Sequence, residues 1–222
     1  MFKKIGMGLA LLSGVAFGVY LRFYRPWHSR WGATDEEVAL EMPGDEVIDQ
    51  PMLNVTRAIT IRARPEEIWP WIVQIGFRRA GFYSYDLLDN LGKPSADRII
   101  PELQHIEVGT WIPMSGKVTQ ETAFRVRAFE PNHWMLWEKA ASTWAWKLIP
   151  IDEEYTRLII RLRCRYRWTR PTIVSDLILM ELGDFPMMRK LMLGIKQRAE
   201  RAHEAAHAKG EEFKANPSSQ VV

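Results

Sequence analysis

The chain has 222 residues, 47% of them hydrophobic and 11% aromatic, with a formal net charge of +3. That length suits one globular domain with extensions, and the apolar fraction is ample for a large core. The single cysteine, Cys164, excludes an internal disulfide and a thiolate metal cluster, and no recognised nucleic-acid motif accompanies the mild positive charge.

In chain order, Lys3 and Lys4 precede a run without charge from Ile5 to Leu21. Its length is near the lower end of what a membrane-spanning helix needs. A bulky, basic stretch from Tyr20 to Arg25 stands where a cleaved signal would carry small residues. Residues 1–26 are therefore predicted to be an uncleaved transmembrane anchor, with Tyr20, Tyr24 and Trp27 as an interfacial aromatic belt. The flanking basic residues lean the domain towards the cytoplasmic side. Ala10, Gly14 and Gly18, spaced at four, offer a small-residue face for a homodimer.

Residues 27–52 read as a polar connector, in which Thr34 and Glu37 form a capping box for a short helix. The β-branched run Leu53–Arg62 predicts a first strand. Pro65, Glu66 and Glu67 open a helix whose buried face carries Ile68, Trp71, Ile72 and Ile75. A second helix is expected from about Tyr83 to Leu91. After Gly109 the pattern has period two. Strands are predicted at Thr110–Pro113, Lys117–Gln120, Ala123–Phe129, Trp134–Glu138, Thr143–Ile149 and Thr156–Trp168, joined by short turns into an antiparallel meander.

Parity then assigns faces. In the last strand Leu158, Ile160, Leu162, Cys164, Tyr166 and Trp168 alternate with Arg157, Ile159, Arg161, Arg163, Arg165 and Arg167. Phe124, Val126 and Ala128 alternate with Arg125 and Arg127. One sheet face is thus apolar and the other basic. Beyond Arg170-Pro171, Ile173–Leu182 is helical in pattern. Asp184 caps a further helix with the stripe Met188, Leu191, Met192, Ile195 and Ala199, and residues 209–222 read as a disordered tail.

The segments Glu67-Ile68-Trp69-Pro70-Trp71, Gly81-Phe82-Tyr83-Ser84-Tyr85-Asp86, Ser95-Ala96-Asp97-Arg98-Ile99-Ile100-Pro101-Glu102 and Leu193-Gly194-Ile195-Lys196 carry a resemblance. Across roughly Trp31 to Arg201 the chain resembles the polyketide cyclase/dehydrase branch of the START and pollen-allergen (SRPBCC) superfamily. The resemblance implies an α+β helix-grip fold over residues 53–208: a curved antiparallel sheet around a long C-terminal helix, here following an N-terminal membrane helix. It also implies a hollow between sheet and helix. With parity, it places Trp71, Tyr83, Tyr85, Phe124, Val126, Trp144, Trp146, Leu148, Leu158, Ile160, Leu162, Met188 and Met192 on the cavity wall. Met187, Met188 and Met192 suit a wall that adapts to varied ligands.

Chemistry has one polar cluster to draw on: Tyr83, Tyr85, Asp86, Asp97, Arg98, Glu102 and His105. As proton donors and acceptors at a cavity mouth they would serve a cyclase or dehydratase. As loop braces they would be structural. The histidines are scattered, and His203 and His207, one turn apart, lack a third ligand, so no metal or cofactor is expected. The basic sheet face, with Arg125, Arg127, Arg161, Arg163, Arg165 and Arg167, reads as a solvated surface paired in part with Glu121, Glu130 and Glu138, or as a contact for anionic lipid. The leading expectation is a membrane-anchored protein that binds a hydrophobic small molecule or lipid, for transport or sensing. The alternatives are a cyclase or dehydratase acting on a polyketide-like substrate, and an interaction module using the basic face.

Overall fold

A computed structural model describes residues 14–15, 17–166 and 179–215. Its framework is one sheet of six antiparallel strands in the order β1-β6-β5-β4-β3-β2. These are β1 (Leu53–Ile61), β2 (Trp111–Pro113), β3 (Ala123–Glu130), β4 (Trp134–Lys139), β5 (Ser142–Pro150) and β6 (Thr156–Cys164). Strands β2 to β6 follow the chain as a meander, and β1 closes onto β6, pairing Leu53 with Cys164 and Ile61 with Thr156. Between β1 and β2 stand helix α3 (Pro65–Val73) and the short helix α4 (Asp86–Asp89). Two short helices precede the sheet, α1 (Arg25–Ser29) and α2 (Asp35–Ala39). The long helix α5 (Asp184–Ala215) ends the described chain. This is the α+β helix-grip arrangement that the sequence resemblance implies.

The α5 stripe is buried as its spacing predicts: Met188, Leu191, Met192, Ile195 and Ala199 are each at most 3% exposed. They share one core with Leu158, Ile160 and Leu162 of β6, Trp144 and Trp146 of β5, and Ile68, Trp71 and Ile72 of α3. Around Trp137, Trp144 and Trp146 the indoles pack with ring centroids 4.9–5.4 Å apart. Offset and edge-on arrangements of this kind add to the area that large rings bury.

Four expectations about the elements are corrected. Residues 117–120 form no strand. The helix expected over Tyr83–Leu91 shrinks to Asp86–Asp89, because Tyr83 (φ 56°) and Leu91 (φ 52°) both adopt left-handed backbone. Strand β3 has a bulge, the pairing stepping from Val126↔Trp137 to Ala128↔Leu136. Arg127 is the extra residue, so the faces switch: Phe129, not Ala128, packs towards the main core. Residues 209–215, expected in a disordered tail, instead continue α5. The part of the expected last strand at residues 167–168, with Arg167 and Trp168, lies outside the described residues, as do most of Ile173–Leu182 and residues 216–222 of the tail.

The basic sheet face is the largest difference from expectation. Residues 31–48 fold back over it, and Met42, Ala58, Leu136, Ala145 and Ile159 form a second small core there. The Thr34–Glu37 capping box starts α2 as predicted. The arginines of β6 then hold the connector. Arg161, 3% exposed, donates to the Leu40 carbonyl at 2.7 Å, the Val38 carbonyl at 2.9 Å and Asp45 Oδ2 at 2.6 Å. Arg163 reaches Asp45 Oδ1 at 2.9 Å and the Ile48 carbonyl at 2.8 Å. Arg157 reaches Glu37 at 2.6 Å. These three side chains are therefore covered, not offered to lipid. Arg125, Arg127 and Arg165 stay exposed, with Arg127 paired to Glu138.

The expected membrane anchor is also corrected. Among the described residues no helix is long and apolar enough to cross a membrane. Residues 5–13 and Ala16 of the apolar run, including Ala10 of the proposed dimer face, lie outside them. The segment from Tyr20 to Trp27 is tied to the domain. The Tyr20 hydroxyl donates to Glu181 Oε2 at 2.7 Å, Arg25 Nε donates to the same oxygen at 2.8 Å, and the Tyr166 hydroxyl donates to Oε1 at 2.9 Å. Tyr24 and Trp27, expected in an interfacial belt, instead meet Phe185 edge-on at 6.5 and 5.1 Å.

Glu181 makes this fastening sensitive to acid. Burial alone would raise its pKa, but the hydrogen bonds from Arg25, Tyr20 and Tyr166 outweigh it and hold the carboxyl below its ordinary value. A depressed folded-state pKa contributes stability above the unfolded value, which is lost as pH falls through the folded one. Urea unfolding from about pH 5 down to about pH 3 is expected to show this loss, and Glu181→Gln to flatten it. An unchanged acid profile in the variant would contradict the assignment. Glu37 and Glu67 are lowered too, so the readout is the difference between the two proteins.

Candidate functional site

Between the sheet and α5 lies a cavity of about 320 Å³. Phe124, Trp144 and Leu162 form its floor on β3, β5 and β6, and Met187, Met188 and Leu191 of α5 form the opposite wall. Phe82, Leu88, Met114 and Met180 close the sides. Leu88 is 70% exposed and marks the rim. Polar groups are few: Ser84, Asp89, Lys139, Ser142 and Asp184. A largely apolar hollow with a handful of polar groups is the usual form of a small-molecule site. Two further depressions, one around Trp111 and Arg125 and one around Trp31 and Lys190, lie outside the sheet–helix interior.

The wall residues predicted by parity divide in two. Phe124, Trp144, Leu162 and Met188 line the cavity. Trp71, Val126, Trp146, Leu148, Leu158, Ile160 and Met192 are buried in the same layer but fill the core around it. The α5 side chains Met187 and Leu191 are visible in the sequence as a methionine-rich segment and as part of the apolar stripe. Phe82 and Ser84 lie in the Gly81–Asp86 segment that carries the resemblance, while Asp89, Met114, Lys139, Ser142 and Met180 carry no signal there that singles them out.

The polar cluster does not converge on the cavity. Tyr83 is 3% exposed, donates from its hydroxyl to the Trp71 carbonyl at 3.1 Å and accepts from Gln74 Nε2 at 2.9 Å. Burial pushes its pKa well above the ordinary tyrosine value, so it is a structural hydroxyl at neutral pH. Arg198 covers its ring at 4.5 Å. Asp86 accepts from the Ser95 hydroxyl, whose oxygen also accepts from the Tyr83 amide at 2.9 Å. Tyr85 is 40% exposed, with Lys190 4.0 Å from its ring centre. Asp97, Arg98, Glu102 and His105 are exposed, and His105 bonds Glu107 at 2.8 Å. Gln74 organises this loop from inside: its Oε1 accepts from the Ile100 amide at 2.9 Å and its Nε2 donates to the Arg98 carbonyl at 3.1 Å. His203 is buried and bonds Glu67 at 2.9 Å.

Two polar features of the cavity wall have no counterpart in the sequence reading. Asp184 pairs with Arg57, itself fully buried, at 2.7 Å. Arg57 also donates to the His28 carbonyl at 2.8 Å and lies 5.1 Å from the Phe185 ring centre. His28 packs among Tyr20, Tyr24 and Phe185, and burial, helped by the Arg57 charge, lowers its pKa to about 4, leaving it neutral. The second feature is Asp89. Both its carboxyl oxygens are shielded from solvent. Burial raises its pKa, the neighbouring Asp86 charge adds to this, and Ser84 offsets it only in part.

No family model matches the chain, and no curated protein matches it. Among solved structures it is similar to a Mesorhizobium loti protein at 17% identity, covering 67% of this chain and 97% of that one, with TM-score 0.39. It is similar to the Aha1 dimer of Colwellia psychrerythraea at 16% identity, with the same coverage and TM-score 0.38. It is also similar to a polyketide-cyclase-like protein of Corynebacterium glutamicum at 17% identity, covering 76% of this chain and 97% of that one, with TM-score 0.31.

Proposed function

We propose that this protein binds a hydrophobic small molecule or lipid between its sheet and its C-terminal helix. The observation that supports this is the cavity of about 320 Å³, walled mostly by aromatic, leucine and methionine side chains. A well-packed interior leaves few voids larger than a water molecule, so a hollow of this size between sheet and helix, open at its Leu88 rim, suits an occupant. Methionines on α5 give that wall the freedom to fit more than one shape. A cyclase or dehydratase has less support, since the hydroxyl of Tyr83 is engaged by the backbone and Asp97 stands at the surface.

The test is native mass spectrometry of the full chain, purified without detergent and then incubated with a cellular lipid extract. A retained small-molecule mass is expected, and Met187→Trp, which places an indole in the cavity, is expected to abolish it while the protein stays folded. A clean protein mass before and after incubation would sink the proposal.

A further inference from the structure

The depression around Trp31 and Lys190 is walled by α1, the 81–85 loop and the start of α5, and it shares no lining residue with the central cavity. Its volume is about 420 Å³, within the range of small-molecule sites. Phe185, 7% exposed, forms a buried floor, and Trp27 and Trp31 meet its ring edge-on at 5.1 and 6.3 Å. Two cations complete the wall. Arg189 lies 5.2 Å from the Trp31 ring centre, and Lys190 lies 4.0 Å from that of Tyr85. Among the described residues neither cation is paired with a carboxylate, and no carboxylate lines the depression.

Aromatic walls alone would suit a cationic ligand, as in the cages that hold quaternary ammonium groups. Here Arg189 and Lys190 already lie over two of the rings, so a third positive charge would meet their repulsion. The ring contacts also restrain both side chains beside the depression, which lowers the ordering cost that flexible basic side chains bring to binding. A carboxylate matches this pair, because a guanidinium can engage it through two parallel hydrogen bonds. We propose that this depression binds a small aromatic carboxylate, its ring against Trp27 and Phe185 and its anionic group on Arg189 and Lys190. A flat ring suits these walls, since offset and edge-on ring pairs gain more than the area they bury. The site is independent of whatever the central cavity holds.

Calorimetric titration of the full chain with 2-naphthoate and 2-naphthamide tests this, because the two probes share a ring system and differ in charge. Met187→Trp serves as the background, since it fills the central cavity and leaves every residue of this depression in place. 2-Naphthoate is expected to bind about tenfold tighter than the amide, the scale of a hydrogen bond to a charged group. Arg189→Gln combined with Lys190→Gln is expected to abolish that preference, and both side chains are exposed, so the fold persists. Trp27→Ala is expected to weaken both probes in parallel and to leave their ratio unchanged. Equal binding of the two probes, or a preference that survives in the double variant, would overturn the proposal. So would an unchanged 2-naphthoate affinity in Trp27→Ala. If neither probe binds, this site fails by itself, and the mass retained by the unaltered chain still decides the central cavity. Should Met187→Trp not fold, the loss of preference on adding the double variant to the otherwise unaltered protein decides.

Discussion

Asp184→Ala is expected to lower unfolding stability by about 3–5 kcal/mol, the range for removing one member of a buried ion pair. The reason is what it leaves behind. Arg57 is fully buried, and its remaining contacts, the His28 carbonyl and the Met188 sulfur at 3.1 Å, carry no formal negative charge. One Arg57 nitrogen already lacks a partner. The pair itself adds less than this figure. Burial is the largest influence on Asp184 and raises its pKa above the ordinary carboxylate value, although Arg57 pulls it down. A raised folded-state pKa means the folded protein holds the proton more tightly, so this group's contribution falls as pH rises through the window above 3.8, its ordinary value. The double variant Arg57→Met with Asp184→Leu is accordingly expected to recover most of the lost stability, because replacing such pairs with apolar side chains is often neutral. Chemical denaturation of the three variants measures this. A double variant as unstable as Asp184→Ala would show that the pair, not the orphaned arginine, carries the energy.

Gly194→Ala has the second largest expected effect, and here two influences oppose each other. Within a helix, alanine is favoured over glycine by about 1 kcal/mol. A methyl group at this position, however, overlaps the Tyr83 carbonyl oxygen and falls 2.6 Å from the Tyr83 Cβ. That backbone has little room to retreat. Tyr83 sits at φ 56° and is fixed by the Trp71 carbonyl, Gln74, Ser95 and the Arg198 guanidinium. Overpacking wins, and a net loss of about 3 kcal/mol is expected, the upper part of the usual range for such changes. Thermal melting reads it directly. A melting temperature unchanged or raised would mean that α5 does not approach the 81–85 loop this closely.

Gly194 also shows what sequence reading reaches and where it stops. The Leu193-Gly194-Ile195-Lys196 segment and the Gly81–Asp86 segment both stand out in the sequence as marks of the fold, and the structure shows them in contact. Their distance in sequence hides that contact, because periodicity describes an element's own faces and not its partner. Strand parity is legible for the same reason: β6 alternates without interruption, and its apolar members are buried as expected. Parity fails in β3 after one inserted residue, since a bulge leaves no mark on composition. For the arginines of β6 it gives the correct face and wrongly leaves them to solvent. Whether Arg161 meets water or the Leu40 carbonyl depends on a segment more than a hundred residues away. Asp89 lies in plain view as part of an acidic stretch. What distinguishes it from Asp86, the shielding of both carboxyl oxygens from solvent, exists only once the loop has folded.

The arginine-fastened connector has a consequence for the order in which the protein is made. Glu37 meets Arg157 across 120 residues, and Asp45 meets Arg161 across 116. On the ribosome, residues 31–48 therefore emerge early and wait through the synthesis of β1 to β5 before the guanidinium groups that satisfy their carbonyls exist. A five-residue helix such as α2 does not hold itself together in water for that interval. This early segment is thus among the later parts to settle, and β6 is the strand whose completion lets it do so.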